Sequence, residues 1–318
     1  MPDTPVNQAA YPQSGQQATG LGFPLAQLVG LISLATGAVL GVAMGSTKGK
    51  GSGEQALFRE LMPRLDSGDV ILADRYYCAY FTIAMLMARG VDILTRQHQK
   101  RLTSPEAIIK TLGASDHLVR WHRPKRPTWM DAKQYATMPE EIIVRQAIVG
   151  GRELVTTLTD ATLVSVSDLD ELYRKRWMVE VDFRSIKSEI GMDILRSKSP
   201  EMVRKEVAVH VLAYNLIRSL MVRAAMLADV LPRALSFKAT LQLWHAFSQQ
   251  WRWHPDEPAE SLVRAMLRAI ATRIIPHRPD RVEPHAVKRR PTHDYLTVPR
   301  EQARAAIVAA RKPLKVVP

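Results

Sequence analysis

One stretch of the chain, residues 173–187, groups residue types that could act together in a reaction. An α-helix turns about 100° per residue, and at that pitch Tyr173, Arg176, Glu180 and Lys187 lie within roughly 60° of one another. One face of the predicted helix therefore holds one carboxylate among two cations and a phenol. Such a face suits a carboxylate that binds a metal ion next to phosphate groups.

The same segment has an apolar side. Val179, Phe183, Ile186 and Ile190 recur at helical spacing, which predicts a helix face that packs against a core. On this geometry alone, a solvated amphipathic helix with incidental charges is the simpler interpretation.

The spacing of the four polar residues favours a more specific interpretation. Tyr, two residues, Arg, three residues, Glu, six residues and Lys resembles, position by position, the signature of the IS4 family of bacterial DDE transposases. The resemblance implies that Glu180 is the last of three metal-binding acids, and that Tyr173, Arg176 and Lys187 hold transposon-end DNA. It also implies a divalent metal cofactor, Mg²⁺, with Mn²⁺ as a substitute.

A second acid follows a short apolar run. Residues 69–74 read DVILAD, and Arg75 comes next. Asp74 could lie at the rim of an α/β sheet, where sites form, or it could cap the following helix. The resemblance favours the first option, because a strand that ends in Asp-Arg carries the second catalytic acid of the IS4 family. Asp74 is therefore expected to be catalytic and metal-binding, and Arg75 to contact DNA.

The first acid of the family has no match here. In the family it lies shortly before a Pro-Asp-Thr-Pro-x-Asn motif. This chain begins at that motif, because the first proline of the motif, Pro2, directly follows Met1. We therefore expect an N-terminally truncated transposase. Two functions follow: metal-dependent cleavage of transposon ends with strand transfer, or a non-catalytic DNA-binding remnant. The missing acid favours the remnant for the chain as written.

The resemblance covers essentially the whole chain and implies an α/β fold. An RNase-H-like (DDE transposase) core is interrupted by a β-rich insertion and is followed by a mostly helical, basic C-terminal region. The expected boundaries are residues 1–95 for a partial core without its first strand, 96–168 for the insertion, 169–227 for core helices with the signature, and 228–318 for the C-terminal region.

Composition points to a polyanion as partner. The 318 residues include 44 Lys and Arg against 31 Asp and Glu, a formal net charge of +13, which favours nucleic acid first and an anionic membrane second. The single cysteine, Cys78, excludes an intramolecular disulfide and a Cys-rich zinc site. The resemblance implies double-stranded DNA as partner (transposon ends and target), a homodimer in synapsis, no membrane, and a cytoplasmic, nucleoid-associated location.

Residues 26–44 contain no charge and approach the length of a membrane span. The competing interpretation is two buried strands, at about 27–34 and 38–44, joined by a turn at Ala35, Thr36 and Gly37. Because no second such stretch occurs, we expect the hairpin. Residues 1–23 are rich in Gln, Pro, Gly and Ala and are expected to form a poorly ordered lead-in.

Further elements follow from local patterns. Strands are predicted at residues 117–122, Glu141–Val149 and 154–158, with a hairpin turn at Gly150 and Gly151. Trp121 and Trp129 lie among cations, where they could stack on bases or pack on cationic side chains, and core packing is the favoured interpretation.

The region after the signature reads as helical. Ser199, Pro200 and Glu201 predict a helix start. Apolar residues continue to about Leu227, which predicts a helix that is buried all round. Within it, His210 is expected to be a satisfied core or interface histidine. A basic run, Lys288 to Arg290, is expected to form a solvated face or arm that adds phosphate contacts.

Overall fold

The computed structural model describes residues 1–16, 18, 20–49, 52–99, 101, 104–253, 258–276 and 298–310. The strands in this part of the chain are β1 (Ala26–Ile32), β2 (Val39–Ser46), β3 (Val70–Leu72), β4 (Asp92–Arg96), β5 (Ile108–Gly113), β6 (Asp116–His122), β7 (Glu141–Val149) and β8 (Arg152–Thr156). The α-helices are α1 (Pro5–Ala10), α2 (Glu54–Leu61), α3 (Tyr80–Met87), α4 (Ala132–Ala136), α5 (Val166–Arg174), α6 (Trp177–Arg184), α7 (Pro200–Ala228), α8 (Phe237–Trp253), α9 (Ala259–Ala271) and α10 (Arg300–Ala310).

The uncharged stretch forms the predicted hairpin. Strands β1 and β2 pair antiparallel from Ala26 opposite Ser46 to Ile32 opposite Val39. Gly37 in the connecting turn has φ of +77°, a conformation that a residue without Cβ adopts without strain. A membrane span at this place is therefore wrong.

A mixed six-stranded sheet lies beside the hairpin, with strand order β3-β4-β8-β7-β6-β5. Strands β3 and β4 are parallel, and the remaining neighbours are antiparallel. The predicted strands between residues 96 and 168 are present, and β8 pairs directly with β4. These strands therefore continue the sheet that begins with β3.

Both faces of this sheet are covered. Successive strand residues point to opposite faces, and Ile93 and Leu94 of β4 accordingly belong to two different cores. Ile93 packs in a core shared with α2, α3 and the hairpin. Leu94 packs with Leu169 and Tyr173 of α5. The sheet thereby fixes α5, which leads into the signature segment.

Helix α7 begins where the sequence predicts. Ser199 is its N-cap and Pro200 its first residue. It packs against α8, α9 and the hairpin, but Val209 and Leu212 are about three-fifths exposed, so the expectation of burial all round is wrong. Apolar residues recur on every side, yet packed elements cover only part of the helix. By length and composition alone, α7 is the one described helix that could cross a membrane.

The N-terminal residues are more ordered than expected. Thr4 caps α1, Asn7 is fully buried, and its amide donates to the Ser197 carbonyl at 3.1 Å. Arg300 of α10 donates to Asp3 at 2.8 Å. A poorly ordered lead-in is therefore wrong for the described residues, because distant segments supply partners that local composition cannot reveal. The basic run Lys288 to Arg290 lies outside the described residues.

We expect Gly37→Ala to destabilise the fold by two separable effects. A positive φ costs a residue with Cβ about 1–2 kcal/mol. The new Cβ would also lie 2.7 Å from Cζ of Arg218, and such overpacking costs about 1–3 kcal/mol more. The free energy of unfolding, measured with denaturant, tests both effects.

Gly151→Ala is the matched control, since Gly151 has φ of +72° but no atom within 4 Å of the place that a Cβ would take. Gly151→Ala should therefore show only the cost of the positive φ. Equal destabilisation by the two variants would contradict a close fit between Gly37 and Arg218.

Candidate active site

The first part of the site is the edge of the sheet where β3 and β4 end. Because these strands are parallel, their carboxyl ends meet at one edge, and Asp74 follows β3 there while Arg96 ends β4. The Thr95 hydroxyl donates to the Asp74 carbonyl at 2.6 Å, which holds the two chain segments together. The Asp74 side chain is exposed and accepts from the Tyr76 amide at 2.8 Å. Asp74 therefore occupies the sheet rim and also caps the turn that follows.

The second part is the signature segment, which is not the single helix expected from the sequence. Tyr173 lies in the last turn of α5, Arg176 is the N-cap of α6, and Glu180 lies in its first turn. Lys187 lies in a π-helical turn, Ser185–Glu189. A helical wheel applies a constant rotation per residue, whereas hydrogen bonds between residues three apart tighten the turn before α6 and the turn after α6 is wide.

Tyr173 joins the two parts. The residue is 5% exposed and packs with Leu94 of β4 and Leu169 of α5. Burial raises the pKa of its phenol, while Arg176 and Arg96 lower it and Asp74 raises it further. The phenol therefore lies within electrostatic reach of the second acid, of the sheet edge and of the signature arginine.

Glu180 is held by Arg176. The guanidinium donates to Oε1 of Glu180 at 2.8 Å, and the two side chains are 29% and 44% exposed. Burial lowers the pKa of Arg176, but the hydrogen bond to Glu180 and the nearby Tyr173 and Asp74 outweigh it, so this pKa lies above its ordinary value. Both side chains are partly accessible, so a ligand could displace either partner of this ion pair.

The structure thus brings Asp74, Tyr173, Arg176 and Glu180 together. Arg75 is next to the site, exposed, and donates to Gln99 at 3.3 Å. Lys187 is exposed one turn beyond α6, where its carbonyl accepts from the Asp193 amide at 3.3 Å.

Arg96 is a site residue that sequence reasoning missed. Its signal was present, because it ends a buried strand and parallel strands end at a common edge. In the sequence it stands out only as one of several basic residues at the start of the following region.

The carboxylates of this region are of the type that a hard divalent cation prefers. Mg²⁺ prefers oxygen ligands and is often bound through one or two carboxylates, with water and substrate phosphate as further ligands. Asp74 and Glu180 are both exposed and provide such oxygens. Among the described residues, no group of three or more His, Cys, Asp and Glu side chains is arranged to hold a metal ion.

Helix α6 is anchored on its other side by a buried charge cluster that sequence reasoning also missed. The cluster consists of Asp182, Tyr214, Arg218 and Arg233, and we call it the Asp182 network. Asp182 is fully buried and forms ion pairs with Arg218 and Arg233. On a helical wheel Asp182 lies about 60° from Val179, and an acid at the border of an apolar stripe is a signal for a buried charge.

Comparison with known proteins gives the family. The family model described as "Transposase DDE domain" matches residues 3–216, more than half of the chain. The chain belongs to this DDE transposase family. The "Transposase InsG for insertion sequence element IS4" of Escherichia coli (strain K12) is 26% identical over 317 residues, which cover 96% of this chain and 69% of that protein.

Membership of the DDE transposases confirms the resemblance found from the signature and supports a transposase function. It gives no support to a non-catalytic remnant. The mixed α/β architecture is consistent with the family.

The two tryptophans of the β-rich region of this transposase pack on cations. Trp121 is 4% exposed, and Arg101 covers its ring at 3.7 Å. Arg59 covers the ring of Trp129 at 3.8 Å. Trp121 therefore packs in the core, as the sequence favoured, whereas Trp129 is 39% exposed and packs on Arg59 at the surface.

The loop after the π-helical turn is tied to α7 by Glu206. Its carboxylate accepts from the backbone amides of Arg196 and Ser197 at 2.8–3.0 Å. Burial raises the pKa of Glu206, but these hydrogen bonds outweigh it and hold the pKa below its ordinary value. His210 is half-buried in α7 and bonds through Nδ1 to the Glu206 carbonyl at 2.7 Å, which makes it the satisfied histidine that the sequence predicts.

We therefore expect this loop to loosen in acid. A carboxyl whose folded pKa is depressed stabilises the fold above its unfolded value of about 4.3, and the contribution is lost as pH falls through the folded value. Amide hydrogen-exchange protection of Arg196 and Ser197 should fall over that range. Glu206→Gln should lower the protection of these amides near neutral pH and remove its dependence on acid. Protection that stays constant with pH in the unmodified chain would contradict the proposed role of the Glu206 hydrogen bonds.

Proposed function

We propose that this chain acts as a transposase of an insertion sequence, cleaving transposon ends and joining them to target DNA in a metal-dependent reaction. One observation carries the proposal. Asp74 and Glu180, separated by more than 100 residues, are both exposed near Tyr173 and Arg176, where carboxylate oxygens for a metal ion lie near a guanidinium for a phosphate.

The two carboxylates are proposed to hold Mg²⁺, for which Mn²⁺ would substitute. Such an ion, when bound, lowers the pKa of a water ligand and stabilises charge on phosphate oxygens. Arg176 engages Oε1 of Glu180 at 2.8 Å, so that oxygen must release the guanidinium before both carboxylate oxygens can serve as ligands. A DNA phosphate that binds Arg176 would free Glu180, which couples DNA binding to metal binding.

The reaction is proposed to run in two displacements. Water attacks phosphorus at a transposon end, and the 3′-oxygen leaves with a proton as a free 3′-hydroxyl. That hydroxyl then attacks a target phosphodiester, forming one P–O bond as the target's own 3′-oxygen leaves. Arg75, Arg96, Arg176 and Lys187 would contact phosphates, and Tyr173 would orient Arg176.

The proposal includes the wider setting implied by the family. The core would be RNase-H-like, with residues 96–168 as an insertion, and the DNA would be double-stranded transposon ends and target. Two copies of the chain would bring two ends together. The surplus of basic residues supports association with DNA, and with it a cytoplasmic, nucleoid-associated location.

Plasmid nicking by the purified chain in Mn²⁺ or Mg²⁺ tests the chemistry. We expect nicking that Asp74→Ala and Glu180→Ala abolish, because each removes a proposed ligand. Glu171→Ala is the control, since Glu171 is an exposed carboxylate of α5 whose partner is Lys175. Nicking that survives loss of Glu180, or no nicking with any metal, would refute the proposed activity for this chain.

The salt dependence of DNA binding tests the basic residues. Arg176→Ala and Lys187→Ala should each weaken binding and reduce the slope of log K against log salt by about one, as expected for loss of one phosphate contact. Lys205→Ala removes the same charge from an exposed ion pair with Glu201 and should leave the slope unchanged. Equal slopes for all three variants would place the DNA elsewhere.

A further inference from the structure

Asp182 uses both of its carboxylate oxygens inside the protein. Oδ1 accepts from Arg218, and it also lies 3.1 Å from the Tyr214 hydroxyl. Oδ2 accepts from Arg233 at 2.8 Å. Among the residues of α6, only Asp182 is buried. Ion pairs, rather than apolar side chains, therefore provide the buried anchor of this helix.

The same network reaches the turn of the β1–β2 hairpin. Arg233 donates to the carbonyls of Leu34 and of Ser33, the latter at 3.0 Å. The Tyr214 hydroxyl lies 2.9 Å from the Gly37 carbonyl, and a Cβ on Gly37 would collide with Arg218. The network thus joins α6 to α7, to the segment before α8 and to the hairpin turn.

The charges make the carboxylate indispensable to this arrangement. Two guanidinium groups face one carboxylate, and the Arg218 and Arg233 side chains are only 6% and 13% exposed. Removing the negative charge would leave two buried cations without compensation, which is far more disruptive than the loss of an exposed pair. The hairpin carbonyls can accept the arginine hydrogen bonds, but they cannot neutralise the charge.

We propose that Asp182, Arg218 and Arg233 are positioning residues for Glu180, holding α6 so that its acid and Arg176 face Asp74. Asp182 follows Glu180 by two residues, so the two side chains point to nearly opposite sides of the helix. One side of α6 is locked to the hairpin turn and the other carries the site. This proposal rests on the proposed function, because it assigns the network a purpose in that site.

Mn²⁺ binding by the full chain, followed by electron paramagnetic resonance of the free ion, separates positioning from general stability. Loss of a residue that orients a ligand typically weakens metal binding about tenfold or more, and we expect this of Asp182→Asn while Glu180 is intact. The control is Asp116→Asn, which makes the same change in another buried ion pair, with Arg145. Mn²⁺ affinity should stay near the original value there, even if thermal stability falls equally.

A second measurement covers the case in which Asp182→Asn does not fold or the chain binds no Mn²⁺. Spin labels on Leu40→Cys in β2 and Arg184→Cys in α6, both at exposed positions, report the distance across the network. Cys78 is buried and its thiol pKa is raised by burial to about 11, so it should remain unlabelled. We expect a narrow distance distribution that broadens in Gly37→Ala, which disturbs the network from the hairpin side.

The outcomes are distinct. Unchanged label distances in Gly37→Ala, or equal effects of Asp182→Asn and Asp116→Asn on Mn²⁺ affinity, would overturn the positioning role. Absence of Mn²⁺ binding in the unmodified chain would count against the proposed function. The label distances would then show, independently of metal binding, whether the network positions α6.

Discussion

A carboxylate that is fully buried between two arginines places a strong demand on the structure around it. The ion pairs of Asp182 are stable only while Arg218 and Arg233 keep their geometry, and those side chains are in turn fixed by Tyr214 and by carbonyls of the hairpin turn. Elements that are distant in sequence must therefore come together for any one of these groups to be satisfied. Apolar packing alone would tolerate small shifts of α6, whereas a network of directed hydrogen bonds tolerates few.

The candidate site draws on two parts of the fold. Asp74 and Arg96 belong to the edge of the six-stranded sheet, and Glu180 belongs to a helix anchored on the hairpin. Tyr173 connects them, because its ring packs under α5 in the sheet core while its phenol faces the charged groups. A buried aromatic ring with a polar end can serve both purposes at once.

Local patterns predicted much of the fold. The hairpin at residues 26–44, strand β7 and the cap at Ser199 were predicted because turn, strand and cap signals act over a few residues. The order around Asn7 and the role of Asp182 were not predicted, because their partners lie far away in the chain. Asp74 was ambiguous on local grounds, and only the resemblance to a known family assigned it to the site.

Side-chain periodicity also treated residues 173–187 as one regular helix, since a wheel cannot detect a change of helical pitch. The assignment of Lys187 as a DNA contact stays a prediction, as do the catalytic roles of Asp74 and Glu180. Spacing in sequence favoured residues that the fold brings near one another, whereas their relative directions depend on packing that spacing does not encode.

The π-helical turn at Ser185–Glu189 has a consequence for how such a chain can change in length. A π turn contains about one residue more than an α turn, so deleting one residue just after Lys187 would restore a regular helix. In that helix Lys187 would lie about 20° from Glu180 around the axis, on the same face. The direction of this lysine around the helix axis therefore depends on the number of main-chain residues in this turn.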